Sequence, residues 1–449
     1  MDLAVEFAEH ACRSTYADLP PATVEATKAF ILDTVGAAIA GSSAAGIEAG
    51  LAHVREAGGT AQATLLVFGE RFPATAAALV NGAMAQARDF DPVYEPGVLL
   101  PYGPIFAAAL AAAERADASG KALIHAVALG TDLTCRVGRA LVSGLGWSRT
   151  ATLGAFGAAL AAGLLFGLGR ERMVSALGLA LSQSSGNIQT VIDGSLAKRY
   201  QGGFTAAAGV LAAMLAERGI TGPTNVFEGR CGFFALYESG RYRREFATEA
   251  LGSRYEGVAA SVKPYPCSRE HHGALAAALE LHAGGVRASD IESATVTLPP
   301  NAFALSGKPW RRGELKTVGN AISSAGYGVA VALARGALIL EDFEPAALGN
   351  AEVNALAERI EIEQDRAVSD AKTLVPQSVV VTLRGGGTRR RTTVAMPGSP
   401  QMPLTAGQLE AKFRSCAARS ARPVSPENIL RSIQQLETCD HIRNLTLYA

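Results

Sequence analysis

The stretch Asp290-Ile291-Glu292-Ser293-Ala294-Thr295-Val296-Thr297-Leu298 decides the fold, because its apolar residues alternate. Ala294, Val296 and Leu298 share one face at a period of two, the periodicity of a half-buried strand. Residues 360–363 continue the theme. Residues 378–383 and 389–395 then flank Arg384-Gly385-Gly386-Gly387-Thr388, which reads as a hairpin with a Gly-rich turn. Ahead of the first of these strands 272–282 is helical in pattern, and between the strands 319–335 is helical again. Lys263 opens this mixed segment and Pro397 closes it.

Outward in both directions the period changes. Upstream, apolar residues recur at helical spacing over 21–40, 73–88, 104–116, 121–141, 151–166, 171–181 and 204–218, with 63–68 as the competing strand pattern. Several of these begin at a proline, which the first helical turn tolerates because its N–H groups have no intrahelical partner. Downstream, 406–415 and 425–437 are short helices, the second opened by Ser425 ahead of Pro426-Glu427. The fold class expected is mainly α with an α+β insert. Residues 1–262 and 398–449 form a large helical domain, and 263–397 a smaller α+β domain. A chain of 449 residues exceeds the roughly 250–300 at which single cores stop growing, so two domains are the default.

Composition narrows the function classes. Lysine plus arginine equals aspartate plus glutamate, 41 each, so no basic excess serves a nucleic-acid backbone or an anionic membrane, and little repulsion opposes self-association into a homo-oligomer. The six cysteines form no CxxC pair and the chain opens Met1-Asp2-Leu3, which reads as a reduced cytoplasmic protein without a secretion signal. Residues 150–169 carry no charge, but their glycines and alanines suit a helix packed inside a protein better than a membrane span. No Rossmann fingerprint, P-loop or HExxH occurs, and the histidines lack metal-ligand spacing, so neither a metal nor an organic cofactor is expected.

Four polar clusters interrupt the apolar sequence. Arg88-Asp89-Phe90-Asp91 ends a helix, where it reads either as a solvated terminus or as a site, carboxylates being unfavourable beside the negative end of a helix dipole. Asp193-Gly194-Ser195-Leu196-Ala197-Lys198-Arg199-Tyr200-Gln201-Gly202-Gly203 reads as a plain loop or as a turn that holds an anion through N–H groups and cations. Lys263-Pro264-Tyr265-Pro266-Cys267, with His271 and His272 following, lies at the domain junction and reads as linker or site. Tyr327, a polar ring in an apolar helix, is most simply a tyrosine that caps a core.

Taken in order, these clusters resemble the MmgE/PrpD family, which includes 2-methylcitrate dehydratase, cis-aconitate decarboxylase and iminodisuccinate epimerase. Asn81-Gly82-Ala83 leading to Asp89-Phe90-Asp91 resembles its N-terminal site motif. Asp193-Gly194-Ser195 through Lys198-Arg199 to Gly203 resembles its DGSxxKRxxxG element, and Lys263-Pro264-Tyr265-Pro266-Cys267 with His272 its KPYPxC…H element. Tyr327 opens a YxVAxAL run. The resemblance implies a helical domain with an inserted α+β lid, a site in the cleft between them, a common homodimer and no cofactor. It implies a small di- or tricarboxylic acid as substrate, with proton abstraction next to a carboxylate followed by loss of water, loss of carbon dioxide or reprotonation.

The departures bear on mechanism. An HPSxP histidine is replaced in Leu100-Pro101-Tyr102-Gly103-Pro104, and a second histidine in Trp147-Ser148-Arg149-Thr150. The last position of a DFDD motif is Pro92, and Gln201 stands where a histidine follows the KR pair. Dehydration needs a general acid for the departing hydroxide, a role suited to histidine, so the pattern favours epimerisation or isomerisation over dehydration. The expected function is a cofactor-independent lyase or isomerase. The residues carried over as catalytic are Asp89, Lys198, Lys263, Tyr327 and His272. Those carried over as substrate-binding are Arg88, Asp91, Arg199, Gln201, Ser148, Arg149, Tyr102, Tyr265 and His271. The alternative is a divergent member that binds a carboxylate, or serves as a scaffold, without catalysis.

Overall fold

The computed structural model describes residues 1–143, 146–311, 317–370 and 372–445. The chain divides into two compact units. Met1–Ile188, Ala197–Val262 and Ala406–Ala449 form one, and Gln189–Leu196 with Lys263–Thr405 the other. This division differs from the boundaries expected from periodicity in two places. Gln189–Leu196 groups with the second unit, because Gly194 packs on Thr317 and Asn320 there, and the second unit also extends past Pro397 to Thr405.

The first unit is built from α1 (Leu3–Arg13), α2 (Pro21–Gly41), α3 (Ile47–Ala57), α4 (Ala74–Gln86), α5 (Tyr102–Ala116), α6 (Gly120–Ala140), α7 (Arg149–Leu165), α8 (Arg170–Leu181) and α9 (Ala197–Glu217). A two-stranded ribbon of β1 (Ala63–Thr64) and β2 (Arg71–Phe72) is all that forms in the strand-like stretch 63–68. The uncharged stretch became α7, buried from Ala151 to Gly163 against α5, α6 and α9. Among the described residues no helix is long and apolar enough to cross a membrane.

One crossing positions the chemistry. On α4, a Cβ at Gly82 would lie 2.9 Å from the Gly202 carbonyl oxygen, and on α9 a Cβ at Gly203 would overlap the Leu79 carbonyl oxygen. Only hydrogen fits between the backbones here, so the glycines bring α4 and α9 to van der Waals contact. Asp89 follows the crossing just past the end of α4, and Lys198 precedes it at the start of α9. Residues 197–203, expected as part of a turn, are therefore the opening turns of α9.

The second unit holds a mixed sheet of β3 (Ile291–Leu298), β4 (Ile360–Gln364), β5 (Gln377–Leu383) and β6 (Thr388–Thr393) in the order β4-β3-β5-β6. The β3/β4 pair is parallel and the others antiparallel. Ala294, Val296 and Leu298 are buried as the alternation requires, together with Val379 and Val381. Helix α10 (His272–Ala283) packs on β5 and β6, and α11 (Ala325–Arg335) on α10 and β4. The helix read over 319–335 is interrupted at Ser323-Ser324, where the Ser324 hydroxyl accepts the Tyr327 N–H at 3.2 Å and caps a new helix. After this unit the chain returns to the first through α12 (Ala406–Ala417) and α13 (Pro426–Gln434).

Candidate active site

In the first unit the turn after α4 is buried, not solvated: Arg88, Asp89 and Asp91 are 6, 5 and 0 % exposed. Asp89 takes φ +51°, a left-handed conformation that aspartate tolerates at a cost of about 1 kcal/mol. Its Oδ1 lies 2.6 Å from Nζ of Lys198, the second residue of α9, whose side chain is 30 % exposed. Each charge sits at the wrong end of its own helix, an anion after a C-terminus and a cation in a first turn. Paired across the Gly82–Gly203 crossing, each relieves the other. The result is an ammonium held by a buried carboxylate and still open to a ligand.

The neighbouring candidates are engaged by other groups of the protein, most of them backbone carbonyls. Arg88 donates from Nε to the Ala40 carbonyl and from Nη2 to the Ser43 hydroxyl, both at 3.2 Å. Arg199 donates to the Ala45 carbonyl, and the Tyr200 hydroxyl to that of Gly46 at 2.7 Å. These three side chains clamp the turn after α2. Gln201 brackets Asn187, accepting its N–H at 3.0 Å and donating to its carbonyl at 3.1 Å. Asp91 accepts from Gln86 at 3.2 Å. Ser148 caps α7, and Arg149 donates to the carbonyls of Gly97 (3.1 Å) and Ser143 (2.6 Å). Tyr102 donates to the Gly257 carbonyl at 3.0 Å, and burial holds its pKa well above the usual phenol range.

In the second unit, Lys263, Arg269, His271 and His272 are all at most 2 % exposed. Arginine only donates, so Arg269 Nη1 at 3.3 Å gives a hydrogen to His272 Nδ1 and leaves the proton on Nε2, which donates to the Cys267 carbonyl at 3.2 Å. Burial lowers the His272 pKa well below 6.5, and the charges of Arg269 and Lys263 add to it. His272 is thus a neutral imidazole with both nitrogens engaged. Tyr265 stacks obliquely on it, ring centroids 5.1 Å apart, its own pKa pushed up to about 12 by burial. His271 Nδ1 turns away to the Ser306 hydroxyl at 3.1 Å. Tyr327 packs on Trp310 and donates to the Asp342 carbonyl at 2.7 Å, its pKa likewise raised to about 12 by burial. Among the described residues no cluster of three or more His, Cys, Asp or Glu is placed to hold a metal.

Residues 5–245 match the MmgE/PrpD N-terminal domain and residues 265–438 the MmgE/PrpD C-terminal domain. The chain belongs to the MmgE/PrpD family. A cis-aconitate decarboxylase-like protein of Aspergillus oryzae is 27 % identical over 453 residues, covering 95 % of this chain and 93 % of the relative. Human cis-aconitate decarboxylase is 24 % identical over 447 residues, 94 % and 89 % of the two chains. The cis-aconitate decarboxylase of Aspergillus terreus reaches 30 % over 277 residues, but this spans only 58 % of this chain and 56 % of that one.

Within this MmgE/PrpD chain the structure also exposes residues that the motifs did not flag. Lys412 of α12 places Nζ 2.6 Å from Asp33 Oδ1 and 2.8 Å from the Phe90 carbonyl, inside the Asp89 turn. Asp33 lies on α2. The available signal was a lysine on the apolar face of an amphipathic helix, beside Phe413 and Cys416, where a charge demands a partner.

Proposed function

We propose that the protein is a cofactor-independent lyase acting on a small di- or tricarboxylic acid, with loss of carbon dioxide as the reaction and an unsaturated tricarboxylate such as cis-aconitate as the first substrate to try. The observation that carries this reading is the Asp89–Lys198 pair, Oδ1 to Nζ 2.6 Å, with the lysine partly open. A partly open ammonium fixed by a buried carboxylate binds a substrate carboxylate and can deliver one proton, and the amine left behind can take one back, all that carboxylate-adjacent chemistry requires. Decarboxylation breaks a carbon–carbon bond, leaves the electron pair on carbon and closes with a proton from solvent. Unlike dehydration it needs no acid for a departing hydroxide, so the absent imidazoles at Leu100, Ser148 and Gln201 are less of an obstacle to it. The relatives named as cis-aconitate decarboxylases support the same choice.

Lys263 is assigned a carboxylate-binding or proton-transfer role, beside a His272 that stays neutral. Tyr327 and His272 are assigned to scaffolding, since their polar atoms are engaged by the chain itself. Incubation with cis-aconitate and related acids in deuterium oxide tests the reading. Carbon dioxide release with deuterium entering carbon next to a carboxylate is the expected result. Deuterium entry without carbon dioxide would make epimerisation or isomerisation the reaction, and binding without either would leave a carboxylate-binding protein. A homodimer is proposed as well, and light scattering should return twice the chain mass.

A further inference from the structure

The Asp89 turn must be held against its own strain, and its supports are specific. The Asp89 N–H reaches the Gln86 carbonyl at 3.2 Å, and Gln86 donates to Asp91 at 3.2 Å. From the far end of the sequence, Lys412 donates to the Phe90 carbonyl at 2.8 Å, pairs with Asp33 at 2.6 Å, and lies 3.9 Å from the centre of the Phe90 ring. The side chains of Lys412 and Asp33 are 6 and 1 % exposed. A buried ion pair is poor evidence for stability, because well-packed apolar side chains of similar volume do as well or better. What this pair adds is direction. The ammonium hydrogens fix the carbonyl and ring of the residue next to Asp89, and so fix where the Asp89 carboxylate stands relative to Lys198.

We infer that Lys412, oriented by Asp33, is a positioning residue for Asp89, acting through the Phe90 carbonyl. The inference rests on the reading of Asp89–Lys198 as the reacting pair. Removing Lys412 alone would take a close cationic partner from a buried carboxylate and threaten folding, so the test uses the neutral pair Asp33→Asn/Lys412→Met, with Lys412→Arg as the conservative variant. Two readouts keep the outcomes apart. The first needs no substrate: acetic anhydride labelling read residue by residue by mass spectrometry reports how firmly Lys198 is held. In the neutral pair Lys198 reactivity should rise towards that of Asp89→Asn, and in Lys412→Arg it should stay near wild type. The second is turnover of the acid identified in deuterium oxide, where kcat should fall about 10–100-fold with KM nearly constant, as for a misplacement of about 1 Å.

Unchanged Lys198 labelling in a folded neutral pair, judged by circular dichroism, would overturn the positioning role whatever the activity. Raised labelling with unchanged turnover would overturn it as a role in catalysis. If Asp89→Asn itself turns over normally, the reading of the reacting pair fails first, and the inference falls with it.

Discussion

Gly203→Ala should destabilise the protein and disable it together. The added methyl would overlap the Leu79 carbonyl oxygen and lie 3.2 Å from the Ala83 nitrogen, so α4 backbone stands in its way and no side chain can swing aside. Overpacking a tight site costs about 1–3 kcal/mol, and the rigid neighbour puts this position at the upper end. Alanine regains about 1 kcal/mol over glycine in a helix interior, leaving a net loss of roughly 2 kcal/mol. At about 2–4 °C per kcal/mol that lowers Tm by roughly 4–8 °C. The separation of α4 from α9 also shifts Asp89 away from Lys198, and turnover should fall at least about tenfold at a temperature where the variant is folded. Differential scanning calorimetry with parallel kinetics measures both. Gly407→Ala is the control, since nothing lies within 4 Å of a Cβ at this second, exposed residue of α12, and it should change stability by no more than about 0.5 kcal/mol with activity unchanged. A Gly203→Ala protein with Tm equal to or above wild type would refute the close helix crossing.

Other perturbations separate scaffold from chemistry. Tyr327→Phe removes the 2.7 Å bond to the Asp342 carbonyl and should cost about 1 kcal/mol in denaturant unfolding while leaving kcat within about twofold, so a large loss of kcat would return Tyr327 to the reacting set. Arg199→Met should loosen the turn after α2, lowering Tm with little change in KM, because its guanidinium holds the Ala45 carbonyl. His125 is 8 % exposed, and burial lowers its pKa from 6.5 to about 4. Its folded pKa is depressed, so the unfolded chain binds the proton more readily. Stability is whole above pH 6.5 and falls as pH drops towards 4, by up to about 3 kcal/mol. Chemical denaturation across this range should show the slope, and His125→Gln should flatten it.

Much of this was legible in the sequence where periodicity was strong. The alternation at Ala294, Val296 and Leu298 gave the strand, and the helices over 104–116 and 171–181 differ from the structure by one or two residues at an end. The Asp89 and Lys198 motifs were visible as polar interruptions, but their pairing was not. Gly202-Gly203 carries the composition of a loop, whereas its small residues serve a helix crossing that depends on Gly82 far upstream. Arg88, Arg199 and Gln201 carry ligand-like groups, and a sequence does not say that backbone carbonyls are their partners. Lys412 and Asp33 escaped for a related reason: Lys412 on the apolar face of its helix signals that it needs a partner, but only the fold shows that the partner is Asp33 and brings the two beneath Phe90.

The central claim is that the Asp89–Lys198 pair performs carboxylate-directed chemistry. Its most direct test is deuterium incorporation and carbon dioxide release from cis-aconitate and related acids, comparing wild type with Lys198→Met and Asp89→Asn. The account predicts turnover by wild type and a loss of at least about 100-fold in each variant, with the double variant no worse than the singles because the two act as one unit. Wild-type turnover that persists in both variants would contradict it.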